Sequence, residues 1–158
     1  MIKYLLFTGI VCLATNAQAQ DIKTLRNINA SQGTTYLDLQ HGDTVSSNRH
    51  WDIALFKTTL SVNEPAILLH AKFEELVKAP DAPYQTDSDT LKAIPTGSGK
   101  GWYQYNMEEH TITPLPDKVI VLKVDDQTFI KLQIESYYKD GKPWEAGAYY
   151  TLRYAILH

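Results

Sequence analysis

Thr128-Phe129-Ile130-Lys131-Leu132-Gln133-Ile134-Glu135-Ser136-Tyr137-Tyr138 is the stretch whose reading decides the fold class. Ile130, Leu132 and Ile134 alternate with Lys131, Gln133 and Glu135. That period of two sends successive side chains to opposite faces of a strand. On its N-terminal side, the β-branched run from Val119 to Val124 enters Asp125-Asp126-Gln127, a hairpin connection. On its C-terminal side, Asp140-Gly141 makes a turn and Pro143 helps to end the pairing. Ala148 to Ile156, rich in tyrosine, reads as a last strand.

Further upstream the same punctuation recurs. Gly101-Trp102-Tyr103-Gln104-Tyr105-Asn106 reads as a strand, Met107-Glu108-Glu109 as a tight connection and His110-Thr111-Ile112-Thr113 as the partner strand, stopped by Pro114 and Pro116. Trp51 to Val62 is a strand or hairpin broken by Asn63-Glu64-Pro65. Trp51, Ile53 and Leu55 fall on one face of it, and Asp52, Ala54 and Phe56 on the other. Trp51 is expected to anchor the core, with Asp52 bonding a nearby turn. Thr34 to Leu39 suits a strand, and the polar residues 20–33 read as an extended lead-in. Residues 66–77 stay open: Ile67-Leu68-Leu69 suits a strand, whereas Lys72 to Val77 could make one or two helical turns. Pro80, Pro83, Asp87, Asp89, Pro95, Gly97 and Gly99 then mark a long irregular loop, a feature that is often functional. Many short strands between turn residues predict an all-β protein, an antiparallel sandwich or barrel-like sheet with long irregular loops.

The N-terminus carries a different signal. Lys3 precedes an apolar run from Tyr4 to about Ala14, and Ala17-Gln18-Ala19 follows at cleavage distance. This pattern predicts a secretory signal peptide over 1–19 and one domain over 20–158. The run is shorter than the ~20 apolar residues of a permanent membrane span. The single cysteine, Cys12, lies inside that run and follows Val11, so a lipid anchor is not expected. Cleavage would leave no thiolate for zinc, an iron–sulfur cluster or nucleophilic catalysis. The expected destination is the periplasm, the outer-membrane surface or the exterior. Loss of Lys3 takes the formal charge from −3 to −4, which argues against a nucleic-acid partner.

Enzyme signatures are missing. There is no H-E-x-x-H, no G-x-S-x-G and no phosphate loop; Gly97-Ser98-Gly99-Lys100-Gly101 lacks the required spacing. Glu108, Glu109 and His110 are sequence neighbours, and neighbours on a strand point to opposite faces. The five histidines are His41, His50, His70, His110 and His158. Each taken alone reads as structural, but histidine and methionine are also the usual axial ligands of haem iron. Trp102, Tyr103, Tyr105 and Met107 could wall a flat apolar macrocycle, or could equally be core.

Six segments recur in a recognisable order: Trp51 to Ala54, Phe73 to Pro80, Gly101 to Asn106, His110 to Pro114, Lys131 to Tyr138 and Tyr150 to Tyr154. Together they resemble the HmuY family of haem-binding proteins of Bacteroidetes-type bacteria. The resemblance implies an all-β fold with a surface cleft, no catalysis, and a role in iron acquisition as a haemophore. Such a protein takes haem from haemoproteins and passes it to a TonB-dependent outer-membrane receptor. It also implies two axial ligands. His110 is the first candidate, Met107 on the same hairpin is its alternative, and His70 is the upstream candidate for the second. A second function consistent with these residues is a haem-independent exported binding module that keeps the fold.

Overall fold

The computed structural model describes residues 20–157. The expected signal peptide and His158 lie outside them. The strands are β1 (Lys23–Asn29), β2 (Thr35–Asp38), β3 (Asp43–Val45), β4 (Ile53–Phe56), β5 (Thr59–Val62), β6 (Ala66–His70), β7 (Tyr103–Asn106), β8 (Thr111–Pro114), β9 (Lys118–Lys123), β10 (Phe129–Tyr138) and β11 (Gly147–Leu157). They form a five-stranded sheet in the order β1-β11-β10-β9-β6, a four-stranded sheet in the order β3-β2-β4-β5, and the separate hairpin β7-β8. Every pairing is antiparallel, and neither larger sheet closes into a barrel.

The long alternating stretch is central. Strand β10 pairs with β11 from Phe129↔Leu157 to Tyr138↔Gly147 and with β9 from Phe129↔Lys123 to Leu132↔Ile120. Ile130, Leu132 and Ile134 join Leu37, Ile53, Leu55 and Leu60 of the other sheet in one core. The opposite face of β10 is not solvated as simple alternation suggests. Lys131 is fully buried and Gln133 nearly so. Residues 71–77 lie over that face and seat Phe73 against Val119 and Ala155. Lys131 donates from Nζ to the carbonyls of Phe73 (2.5 Å) and Leu76 (2.9 Å). These carbonyls thus find a partner on the sheet, and Lys72–Val77 forms turns in place of the helical turns left open by the sequence.

Three other expectations change. The polar lead-in contains a true edge strand: β1 pairs with β11 from Lys23↔Tyr154 to Asn29↔Tyr149. Its residues are mostly exposed, which hid the periodicity. Trp51 is only half-buried and packs edge-on against Tyr36 at 5.2 Å. The anchor is instead its neighbour Asp52, fully buried, whose Oδ2 accepts the Leu39 amide at 2.6 Å and so holds the turn after β2. Pro114 ends β8 from within, opposite Tyr103, as suits a residue that cannot donate to a ladder. In the turn before β3, Gly42 has φ +80°, and a Cβ there would come within 2.8 Å of the Tyr154 hydroxyl.

Tyrosines dominate the core where the hairpin meets the large sheet. Tyr150 is fully buried and donates to the carbonyl of Lys57 at 2.6 Å. Burial pushes its phenol far above the ordinary value, and raises those of Tyr137 and Tyr154 as well. A raised folded-state pKa means the fold favours the protonated phenol. That stability is present below the free phenol value of about 10 and is lost as pH rises beyond it. Lys131, whose ammonium burial pushes down, acts in the opposite sense. Comparison with Tyr150→Phe therefore isolates the phenol. The melting temperature should fall steeply above about pH 10, with less fall in Tyr150→Phe, and part of the tyrosinate absorbance should appear only with unfolding. All tyrosines titrating together in the folded protein would contradict this.

Candidate functional site

The β7–β8 hairpin carries three of the six candidates at or near its tip. Its register pairs Tyr103↔Pro114, Gln104↔Thr113, Tyr105↔Ile112 and Asn106↔Thr111, which leaves Met107 to His110 as the turn. Asn106 Oδ1 accepts the amides of Glu108 (2.9 Å) and Glu109 (3.2 Å) and closes that turn. His110 ends it with φ +52°. A non-glycine residue in this left-handed region costs roughly 1–2 kcal/mol, so the turn holds His110 against a local preference.

His110 is exposed, and its ring is oriented by the strand beside it. Tyr105 Oη and His110 Nδ1 are 2.8 Å apart. In the tautomer where Nδ1–H donates to the phenol oxygen, the Nε2 lone pair is free and faces away from that bond. In metal-ligating histidines, a hydrogen bond from the other ring nitrogen to a neighbouring oxygen fixes both ring orientation and tautomer. Met107, 73% exposed, sits on the same turn with its thioether accessible.

Trp102 and Tyr103 are placed differently. Trp102 is 3% exposed and packs its ring against Tyr103, Tyr150 and Tyr137 at centroid distances of 4.8, 5.4 and 6.0 Å. Its Nε1 donates to the Thr58 carbonyl at 3.2 Å. Both residues are buried and root the hairpin in the core. Only Tyr105, half-buried, remains as an aromatic beside His110.

His70 ends β6, opposite Lys118 of β9. Both of its ring nitrogens are engaged: Nδ1 lies 3.0 Å from Asp117 Oδ2, and Nε2 takes a 2.6 Å hydrogen bond from Lys118 Nζ. The His70 bond holds the Asp117 carboxyl below the usual carboxylate range. No hydrogen bond, ion pair or ring contact joins His70 to His110 among the described residues. The hairpin tip lies four residues beyond Pro114, ~13 Å at the strand rise of ~3.3 Å per residue. The structure therefore brings together His110, Met107 and Tyr105, and leaves His70 in a network of its own. The Tyr105–His110 partnership is not visible as a motif; it follows from the hairpin register, which sets the two residues on either side of the turn.

No family model matches this chain, and no curated protein sequence matches it. Solved structures do. The apo HmuY analog of Tannerella forsythia aligns over 89% of this chain and 96% of its own, with a TM-score of 0.63 at 17% identity. The chain has an HmuY-like fold. A candidate HmuY-like heme-binding protein from Bacteroides vulgatus aligns over 84% of this chain and 89% of its own, with a TM-score of 0.56 at 18% identity. A candidate lipoprotein from Bacteroides fragilis aligns over 89% and 92%, with a TM-score of 0.56 at 15% identity. The HmuY-like resemblance drawn from the ordered segments is thus matched by the fold. At these identities the likeness is one of fold, so ligand residues rest on the geometry of this chain. No helix among the described residues is long and apolar enough to cross a membrane.

Proposed function

We propose that this chain is an exported haem-binding protein without catalytic turnover, in which His110 is one axial ligand of the haem iron. The observation that carries this reading is the Tyr105–His110 pair: an exposed imidazole, oriented by a phenol at 2.8 Å and open at Nε2, on an HmuY-like fold. The heme-binding description of the Bacteroides vulgatus neighbour supports it. Met107, exposed on the same turn, is the alternative donor on this hairpin, and His70 is the upstream candidate for the second ligand. His70 would first have to give up Lys118. Haem brings the iron and a large apolar face. The chain supplies neutral ligand atoms and whatever apolar contact the hairpin and its surroundings offer, at roughly 25 cal/mol per Å² removed from water.

In this reading the leader over 1–19 directs export, 20–158 acts as one domain, and the bound haem passes from a haemoprotein to a TonB-dependent receptor. The second reading is a haem-independent binding module on the same fold. It is favoured by the burial of Trp102 and Tyr103 and by the engagement of both His70 nitrogens.

Titration of the purified protein with ferric haem separates the two. A saturating one-to-one low-spin spectrum is expected, and His110→Ala should abolish it. Tyr105→Phe, which keeps the ring but drops the bond to Nδ1, should weaken affinity about tenfold or more, as loss of an outer-shell partner typically does. Met107→Ala then tests the alternative hairpin ligand, and His70→Ala the upstream second ligand. A broad, non-saturating spectrum unchanged by His110→Ala would leave the haem-independent role standing.

A further inference from the structure

A second cluster lies on the four-stranded sheet, apart from the hairpin. His50 and Asp52 stand two residues apart on the bend that enters β4, and their side chains meet. The pairing of β4 with β5 continues through Asn63, whose amide donates to the Asp52 carbonyl at 3.0 Å. That bond brings Glu64 alongside. One ligand atom from each of His50, Asp52 and Glu64 lies within 4.8 Å of the others.

The decisive atom is Asp52 Oδ1. The side chain is fully buried, Oδ2 is used by the Leu39 amide, and Oδ1 has no hydrogen-bond partner. His50 Nε2 stands 3.4 Å from it, within ion-pair range when the imidazole is protonated but outside hydrogen-bond geometry. A buried carboxylate oxygen with no partner is costly, and native structures rarely leave one so without a reason. The spacing supplies the reason. A tetrahedral ion with bonds of ~2.0–2.1 Å holds its ligand atoms ~3.3–3.4 Å apart, which is the observed His50–Asp52 separation. The half-buried Glu64 carboxylate, within 4.8 Å of the other two ligand atoms, needs to move in by at most ~1.4 Å to take the same spacing.

We propose that His50 Nε2, Asp52 Oδ1 and a Glu64 carboxylate oxygen form a site for a divalent transition-metal ion of the zinc class, with a fourth position open to solvent. One imidazole and two carboxylates suit such an ion: the nitrogen selects against magnesium and calcium, which prefer all-oxygen sets. The site pins the start of β4 to the residues after β5, and its metal bonds reach the turn after β2 through Asp52. It is independent of the haem reading, since it shares no residue with the hairpin.

The test is calorimetric titration of the untagged protein with zinc ion alone, with melting curves in zinc and in chelator. One saturating site per chain is expected, together with a zinc-dependent rise in melting temperature. His50→Ala and Glu64→Gln should each weaken binding by about tenfold or more and abolish the thermal shift, while His110→Ala retains both. Neither variant touches the Asp52–Leu39 bond, and their melting curves in chelator check that they fold. If either fails to fold, the other decides. Absence of saturable binding in the wild type, or binding equal in wild type, His50→Ala and Glu64→Gln, would overturn the proposal.

Discussion

Trp102→Ala is expected to destabilise the protein by about 3–5 kcal/mol, the range for removing a large aromatic from a packed core. The ring is nearly inaccessible and sits among Tyr103, Tyr137 and Tyr150, which belong to three different strands. Those neighbours cannot collapse together into the gap. Tyr150 is tied to the Lys57 carbonyl, and Tyr103 is held by its pairing with Pro114. Truncation also removes the indole donor from the Thr58 carbonyl. Denaturant unfolding measures the loss. Trp102→Phe should retain much of the stability, and its ferric haem spectrum should match the wild type. A haem spectrum changed by Trp102→Phe in a protein of near-native stability would mean that this ring faces the ligand, against the buried position described here.

Lys131→Met should cost about 2–4 kcal/mol: ~1–3 kcal/mol for each of two acceptors left without a partner, less the desolvation the buried ammonium no longer bears. Methionine keeps the apolar stem but removes the ammonium that serves the carbonyls of Phe73 and Leu76. It also removes a cation 4.1 Å from the Phe73 ring centroid. Arg153, 4.4 Å from the same ring, stays in place through Gln133 and Glu74. The loss should therefore concentrate in residues 71–77, and amide hydrogen exchange there should quicken more than in β9 or β11. Part of the ammonium's contribution is offset by its own desolvation, which depresses its pKa. Unchanged stability and unchanged exchange in 71–77 would show that this segment is held by Phe73 packing alone.

Much of the architecture is legible in local patterning because an antiparallel ladder writes a period of two into each strand. Strands β7 to β11 and the β4–β5 hairpin follow from alternation and turn residues, and observed and expected boundaries differ by one or two positions. The misreadings share a cause. Strand β1 is an exposed edge, so its residues show no alternation. Lys131 and Gln133 look solvated until residues 71–77 are laid over them. Trp51 looks like an anchor because tryptophan is large, but the inward position at that point of the chain belongs to Asp52.

The candidate site divides along the same line. That His110 and Met107 belong to one tight hairpin could be read from Gly101 to Pro114, although the pattern has His110 open the partner strand and the structure has it close the turn. Sequence alone thus determined the all-β class, most of the strand order along the chain, and the hairpin that carries those two residues, because each depends on contacts between near neighbours. Only the tertiary structure decided that Tyr105 orients His110, that Lys118 and Asp117 occupy His70, that Trp102 is core, and that Asp52 Oδ1 is buried beside His50 and Glu64 without a hydrogen bond. Burial and hydrogen-bond satisfaction depend on which distant segments cover a residue, and no local period records that.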